Sequence, residues 1–392
     1  MITSLYVYPW TLWDGGVDKT LEYIADLGIK CVSVAVAYHG GKFFLPHNPK
    51  KKVFYHPEGM IYFSTDMDAY GVLKPRTGTA FQEAAAQGMD LFGEIIRQAQ
   101  KHGLQVRAWV IGLHNSHLGR QHPDCCMVNA FGERHVHALC PADETVRFYL
   151  QKLIGEFVNR YPLHGIELES FDFMGFLHGD EHEVVGLPLP QKEMLDLLLG
   201  LCFCASCTAR AQAAGLDMDR ASWLIRRAVK ALCEGRTQES ADLLKSPEVT
   251  QLMELRIDWC ADLFEQIQQT VRFSRCPTPI YAVNWMNLGP GETDTARLNR
   301  LGRALNGWIV AYPAHTDQAA HFYHSARRAV PFDKRLILGI RMLPPELTQK
   351  KQLCEYWKQA LAVQPYGINF YNYDMACLPV LQELRRCLVQ TK

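Results

Sequence analysis

Residues 145–173 read TVRFYLQKLIGEFVNRYPLHGIELESFDF, and this stretch decides the fold. Its first part, Thr145 to Tyr161, is helical in pattern, and Pro141-Ala-Asp143 just upstream supplies a helix start. Its last part, Gly165 to Phe171, is a short run in which Ile166 and Leu168 alternate with Glu167 and Glu169, the period of a strand. A helix feeding a short strand is one step of a β/α repeat, and the same step recurs in both directions along the chain. Strands are expected at Ser4 to Pro9, Cys31 to Ala37, Gln105 to Leu113, Pro279 to Trp285, Gly307 to Tyr312, Arg335 to Met342 and Tyr366 to Tyr373, all rich in β-branched or aromatic residues. Between them, helices are expected at Val17 to Leu27, Met89 to His102, Met253 to Arg272, Thr293 to Leu305, Thr316 to Ala329, Pro344 to Val363 and Pro379 to Leu388. Gly28 and Gly103 stand just past two of these helices, where the left-handed conformation is wanted.

Eight strands alternating strictly with helices predict an α/β fold, a closed (β/α)8 TIM barrel filling the whole chain as one domain, residues 1–392. No glycine-rich phosphate loop follows the first strand, which argues against an open doubly wound sheet. No organic cofactor is expected. Two excursions break the rhythm. Tyr38 to Gln87, after strand 2, mixes aromatics, prolines and histidines; residues 173–250, after strand 4, form a mainly helical insertion with a cysteine-rich motif. Both leave from carboxyl ends of strands, where barrel enzymes build their sites.

Composition narrows the function classes. Lys plus Arg equals Asp plus Glu, 41 each, so no strong field is available to hold nucleic acid or an anionic membrane. Lys50-Lys51-Lys52 is too short a cluster to change that. There is no apolar run of about 18 residues to span a bilayer. The amino terminus reads as a strand rather than an export signal, and the 13 cysteines are odd in number and dispersed. Reduced thiols and a cytoplasmic location are therefore expected. The one protein partner suggested is a second copy of the chain, through the helical excursion.

The candidate chemistry gathers at strand ends. With Ile166 and Leu168 facing the helices, Glu167 and Glu169 point into the barrel, where an unpaired charge is costly. Glu167, the deeper one, is either a partner of an arginine such as Arg107 or Arg341, or a substrate contact. Glu169, nearer the carboxyl end, is the expected catalytic group, with Asp172 in the following loop. His39, His114, Asn115, Trp285, Tyr312, Arg341 and Tyr371 also fall at or near strand ends, and flat rings with in-plane amides suit a sugar. Glycoside cleavage needs two carboxylates about one bond. Glu169 is one; Asp374, Glu292 and Asp172 compete to be the other, Asp374 ahead. Cys202-Phe-Cys204-Ala-Ser-Cys207 places three thiols within six residues, a set that can converge on a tetrahedral structural zinc. Cys140 is the preferred fourth ligand, with Cys125, Cys126 and Cys233 as rivals.

The order His122-Pro123-Asp124, Cys140-Pro141, a helix, a carboxylate-bearing fourth strand and then Cys-x-Cys-x-x-Cys resembles the zinc-bearing β-galactosidases of glycoside hydrolase family forty-two, over roughly residues 105–210. The chain also looks like the broader set of glycosidase-like barrels, with Asp143 to Arg147 opening a helix before a Gly-Ile-x-Leu-acid strand. The resemblance implies zinc on Cys140, Cys202, Cys204 and Cys207, and an acid/base near Glu169. The fourth strand here lacks that family's Asn-Glu pair, and Ile340-Arg341-Met342 offers no seventh-strand glutamate.

The sequence thus predicts a glycoside hydrolase acting on a carbohydrate through Glu169. A second reading is a sugar isomerase, epimerase or lyase, with a metal on His178, Asp180, His182 and Glu183. A third is a carbohydrate-binding barrel without catalysis.

Overall fold

The eight expected strands all form. They are β1 (Ile2–Val7), β2 (Cys31–Tyr38), β3 (Gln105–Ile111), β4 (Gly165–Glu169), β5 (Ile280–Val283), β6 (Gly307–Val310), β7 (Arg335–Arg341) and β8 (Gly367–Tyr371). This computed structural model describes residues 1–177, 192–283, 295–315 and 318–390. Each strand pairs in parallel with the next, and β8 pairs back onto β1, so the sheet closes. The strands read as near-continuous apolar runs because both faces are covered; all eight residues of β2 are buried.

Helices Val17–Asp26, Leu91–Lys101, Glu144–Val158, Pro247–Arg272, Thr295–Gly302, Ala319–Ala329, Gln352–Ala362 and Leu378–Gln390 follow the strands in order. Most begin within three residues of the expected start, and two begin farther from it. The helix read from Met253 starts at Pro247, because proline fits the first helical position, whose N–H has no partner anyway. The helix read from Pro344 starts only at Gln352; Pro345 holds Pro344 out of the helical region, and the chain runs through turns up to Lys351.

The excursion after β2 forms an antiparallel hairpin, Gly41–Phe44 with Val53–His56, and a short strand Met60–Ile61 that pairs with the end of β2. The segment after β4 carries helices Lys192–Leu199, Ala205–Ala213, Met218–Cys233 and Thr237–Leu244. One cysteine expectation needs correction. Cys354 and Cys387 are joined as a disulfide between the last two helices, so eleven of the thirteen cysteines are free. The sequence hid this pair because 33 residues separate its members, and only helix packing brings them together.

Inward-facing side chains fill the barrel in tiers. The lower tier centres on Glu167, fully buried, which accepts from Ser33 Oγ at 2.8 Å and Arg107 Nη1 at 3.2 Å, with Asn369 Nδ2 at 3.5 Å. Burial pushes the Glu167 carboxyl above its ordinary range, and the Arg107 guanidinium pulls the other way. Of the two roles open to Glu167, the structure places it in the arginine pair. It is 0% exposed.

Candidate active site

Two residues beyond Glu167 on the same face of β4, Glu169 reaches the mouth and keeps partial solvent access. Its setting comes from the way β4 ends. Ser170 takes a left-handed φ of 54°, unusual for a residue with a side chain, and the chain turns there. The turn is pinned by Gly112 N donating to Glu169 O and Leu113 N donating to Ser170 O. Gly112 is needed beside it, since a Cβ there would lie 2.6 Å from the Phe171 ring.

Trp109 of β3 donates its indole Nε1–H to Glu169 Oε2 at 2.6 Å. Around this pair stand Tyr6, Tyr38, Tyr312 and Tyr371, whose hydroxyls all feel the Glu169 charge. Tyr8 links the ring by hydrogen bonds to Tyr38 at 2.9 Å and Tyr371 at 3.2 Å. Burial pushes the Glu169 carboxyl up to about 7; the Trp109 bond draws it down and the Glu167 charge raises it. A carboxylic acid that holds its proton to neutrality, inside a ring of aromatic faces, can donate that proton to a leaving oxygen.

Arg341 ends β7 with its guanidinium 5.9 Å from the Tyr371 ring centre and 3.6 Å from Glu346 Oε1. Glu346 side chain is 14% exposed, and its Oε2 has no hydrogen-bond partner among the described residues. Tyr312 feels the charge of Glu169 on one hand and of Arg341 and Glu346 on the other. Glu346 was missed in the sequence because it lies five residues beyond the strand, past two prolines, where no periodicity reaches it. Tyr6, Tyr8 and Trp109 were missed too, although period-two alternation in β1 and β3 puts them on the inward face.

The other expected site residues have these surroundings. Asp374 is 0% exposed and accepts from Tyr8 N at 3.0 Å, at the start of helix Pro9–Gly15; burial pushes its carboxyl up to about 7. Asp172 is turned toward Arg256 of the long helix; burial pushes it up to about 6 and Arg256 pulls it down. Neither shows an interaction with Glu169. Asn115 caps helix Ser116–Gln121, its Oδ1 accepting from Leu118 N at 3.0 Å, so its side chain is spent on that turn. His39 and His114 stack at 4.4 Å beside Tyr38. Trp285, Glu292, His178, Asp180, His182 and Glu183 lie outside the described residues.

Cys140, Cys202, Cys204 and Cys207 converge as a buried group. Their Sγ atoms lie 3.5 Å apart for Cys140 and Cys207, 3.6 Å for Cys140 and Cys204, and 4.0 Å for Cys140 and Cys202. Four sulfurs on one tetrahedral zinc stand about 3.8 Å apart, from a Zn–S distance of about 2.3 Å. Backbone N–H groups of Val128 and Cys204 point at Cys202 Sγ, and that of Cys207 at Cys204 Sγ, the pattern that steadies thiolates. Sulfur bonds from its neighbours hold the Cys204 thiol far down, while burial pushes Cys140 and Cys207 up. The four cannot all ionise in this setting without a cation, so the donor set fits a divalent metal. Cys125, Cys126 and Cys233 are not in the group.

No family model matches the chain, and no curated protein matches it in sequence. Solved structures do match its shape. α-L-fucosidase isoenzyme 2 from Paenibacillus thiaminolyticus superposes with a TM-score of 0.60 at 13% identity, over 100% of this chain and 49% of that one. The glycoside hydrolase domain of PgaB (BpsB) from Bordetella bronchiseptica gives 0.59 at 12% identity, over 99% of both chains. Gan42B, a GH42 β-galactosidase from G. stearothermophilus, gives 0.56 at 14%, over 100% of this chain and 56% of that one. The chain spans about half the length of the fucosidase and of the β-galactosidase. At such identities the likeness is one of architecture, and the architecture is the (β/α)8 barrel seen in glycoside hydrolases.

Proposed function

We propose that this chain is a glycoside hydrolase whose general acid is Glu169. The observation that carries the proposal is a partly accessible carboxyl at the carboxyl end of β4, pushed up to about 7 and ringed by Trp109 and tyrosines. The aromatic ring supplies stacking faces for a sugar, and the phenols supply hydrogen bonds to its hydroxyls. The neighbouring barrels named above, glycoside hydrolases by name, agree with this reading.

The reaction needs a second, ionised carboxylate. Glu346 fits that role better than Asp374 or Asp172, because it pairs with Arg341, its Oε2 has no hydrogen-bond partner among the described residues, and its charge, like that of Glu169, acts on Tyr312. Glu169 would give its proton to the glycosidic oxygen as the bond to the anomeric carbon breaks. Glu346 would meet the positive charge growing on the ring, by direct attack or through a water. Zinc on Cys140, Cys202, Cys204 and Cys207 would be structural, since a site of four sulfurs leaves no position open to substrate.

A panel of aryl glycosides and oligosaccharides, run with wild type and Glu169→Gln, tests the reading. Sugar release that falls at least a hundredfold in the variant is the expected result. Turnover that survives Glu169→Gln undiminished, or a folded wild type inert across the panel, would remove the proposal.

A further inference from the structure

The mouth carries a second concentration of ligand-type side chains, and the glycosidase reading makes no use of it. His39 follows β2, Glu58 sits on the turn between Val53–His56 and Met60–Ile61, and His114 follows β3. One ligand atom from each of these three lies within 4.8 Å of the others. We infer that His39, Glu58 and His114 form a binding site for a divalent first-row transition ion at the barrel mouth.

The tautomer of His39 is the first support. Its Nδ1 lies 2.6 Å from the Gly40 carbonyl oxygen. A carbonyl can only accept, so Nδ1 holds a proton, and in the neutral form of the ring Nε2 is then the atom that carries the lone pair. Metal-binding histidines are typically oriented in this way, by an outer hydrogen bond to a carbonyl or carboxylate. The backbone of His39 is itself fixed, because His56 Nδ1 is 2.7 Å from His39 O.

The loop that brings Glu58 in is shaped for close approach. A Cβ on Gly40 would come within 2.8 Å of Glu58 Oε1, so the carboxylate lies directly over that glycine. Gly59 takes a φ of 69°, and a Cβ there would meet Asn115 Oδ1 at 2.7 Å. Two glycines thus let one carboxylate settle against two imidazoles contributed by separate strand ends.

Two imidazoles and one carboxylate suit manganese, iron, cobalt, nickel or zinc, and leave coordination positions for water or sugar hydroxyls. Two rings connect the place to Glu169. His39 stacks on Tyr38 at 4.5 Å, and Tyr38 lies 4.9 Å from Trp109, which bonds Glu169. An ion here would hold hydroxyls of a molecule whose scissile bond lies against Glu169. The two histidine rings stack at 4.4 Å with an interplanar angle of 12°, so one ion cannot lie in both ring planes as they stand. Binding therefore turns the His114 ring about its broad χ2 well, while the Gly40 carbonyl keeps the His39 ring in place.

Mn2+ is the probe, because it prefers oxygen and nitrogen donors and so avoids the four-cysteine group. Full-length protein is titrated with Mn2+, and free ion is followed by electron paramagnetic resonance. One Mn2+ per chain is expected for wild type, with affinity at least tenfold weaker in both Glu58→Gln and His39→Ala. Both positions are partly exposed, and thermal unfolding checks that each variant is folded. Gly40→Ala, which pushes the carboxylate away without removing a ligand, should weaken binding as well. No uptake by folded wild type, or uptake that neither ligand variant weakens, overturns the site. None of these readouts needs turnover, so a silent glycoside panel would leave this inference standing or falling by itself.

Discussion

Glu169 keeps its proton at a pH where an ordinary glutamate has lost it, and two measurements follow from that. Its folded carboxyl is pushed up to about 7 from an ordinary value of 4.5. A raised carboxyl adds to stability only while it stays protonated, so that contribution is lost as pH rises through the folded value. Glu169→Gln removes the ionisation and keeps an oxygen for the Trp109 bond. The variant should match wild type near pH 4.5 and become the more stable from about pH 7 upward, by up to about 3 kcal/mol. Urea unfolding at the two pH values reads this directly, and equal stability at high pH would place the Glu169 proton elsewhere. Trp109 acts in the opposite sense, because its N–H favours the ionised form. Trp109→Phe should move the alkaline limb of kcat/KM upward by about one to two pH units, given about 1.5–3 kcal/mol for a hydrogen bond to a charged group. A downward shift would contradict the geometry.

At the scale of the element, the strands were legible because a barrel strand is buried on both sides and so reads as an unbroken apolar run. β2 shows this most plainly, from Cys31 to Tyr38. The alternation Ile166, Glu167, Leu168, Glu169 likewise told which residues of β4 face inward. What it left open was how deep each one lies. Glu167 and Glu169 share a face, yet two residues of rise separate a sealed ion pair from an accessible acid. Loops were opaque for a different reason. Asp374 and Asn115 sit at strand ends, where sequence suggests function, but both serve backbone N–H groups at helix starts. Glu346 and Glu58 lie on irregular turns, and only the folded chain shows what they face. The pair inside β3 and β4 makes the depth argument testable. Arg107→Met leaves Glu167 buried without its cation and should cost about 3–5 kcal/mol at neutral pH. The loss should shrink in acid, where Glu167 can take a proton instead. A loss that is the same at both pH values would mean that packing of the arginine stem, rather than its charge, holds the tier together.

Over the whole molecule, the barrel is closed by strand pairing while the segment after β4 is fastened to it by sulfur. Cys140 precedes helix Glu144–Val158, and Cys202, Cys204 and Cys207 stand around the start of helix Ala205–Ala213, so the group joins points at least 62 residues apart. Arg256 of the long helix Pro247–Arg272 feels the charges of Cys202, Cys207 and Asp172 together, which ties that helix to the same corner. A divalent ion bound there stabilises the folded state by the free energy of binding, because the unfolded chain offers no formed site. Purified protein should therefore carry one zinc per chain on the cysteines, and Cys204→Ser should release it. A strong chelator should lower Tm without any change in disulfide content. The Cys354–Cys387 bridge makes a separate contribution; closing 33 residues is worth about 4 kcal/mol in a chain-entropy account. A mild reductant with zinc present should open that bridge and leave the four zinc-bound thiolates in place. The two treatments should then act additively on Tm, since they fasten different parts of the chain. Chelation that leaves both Tm and the helical signal untouched would show that four buried thiols hold this corner together without a metal.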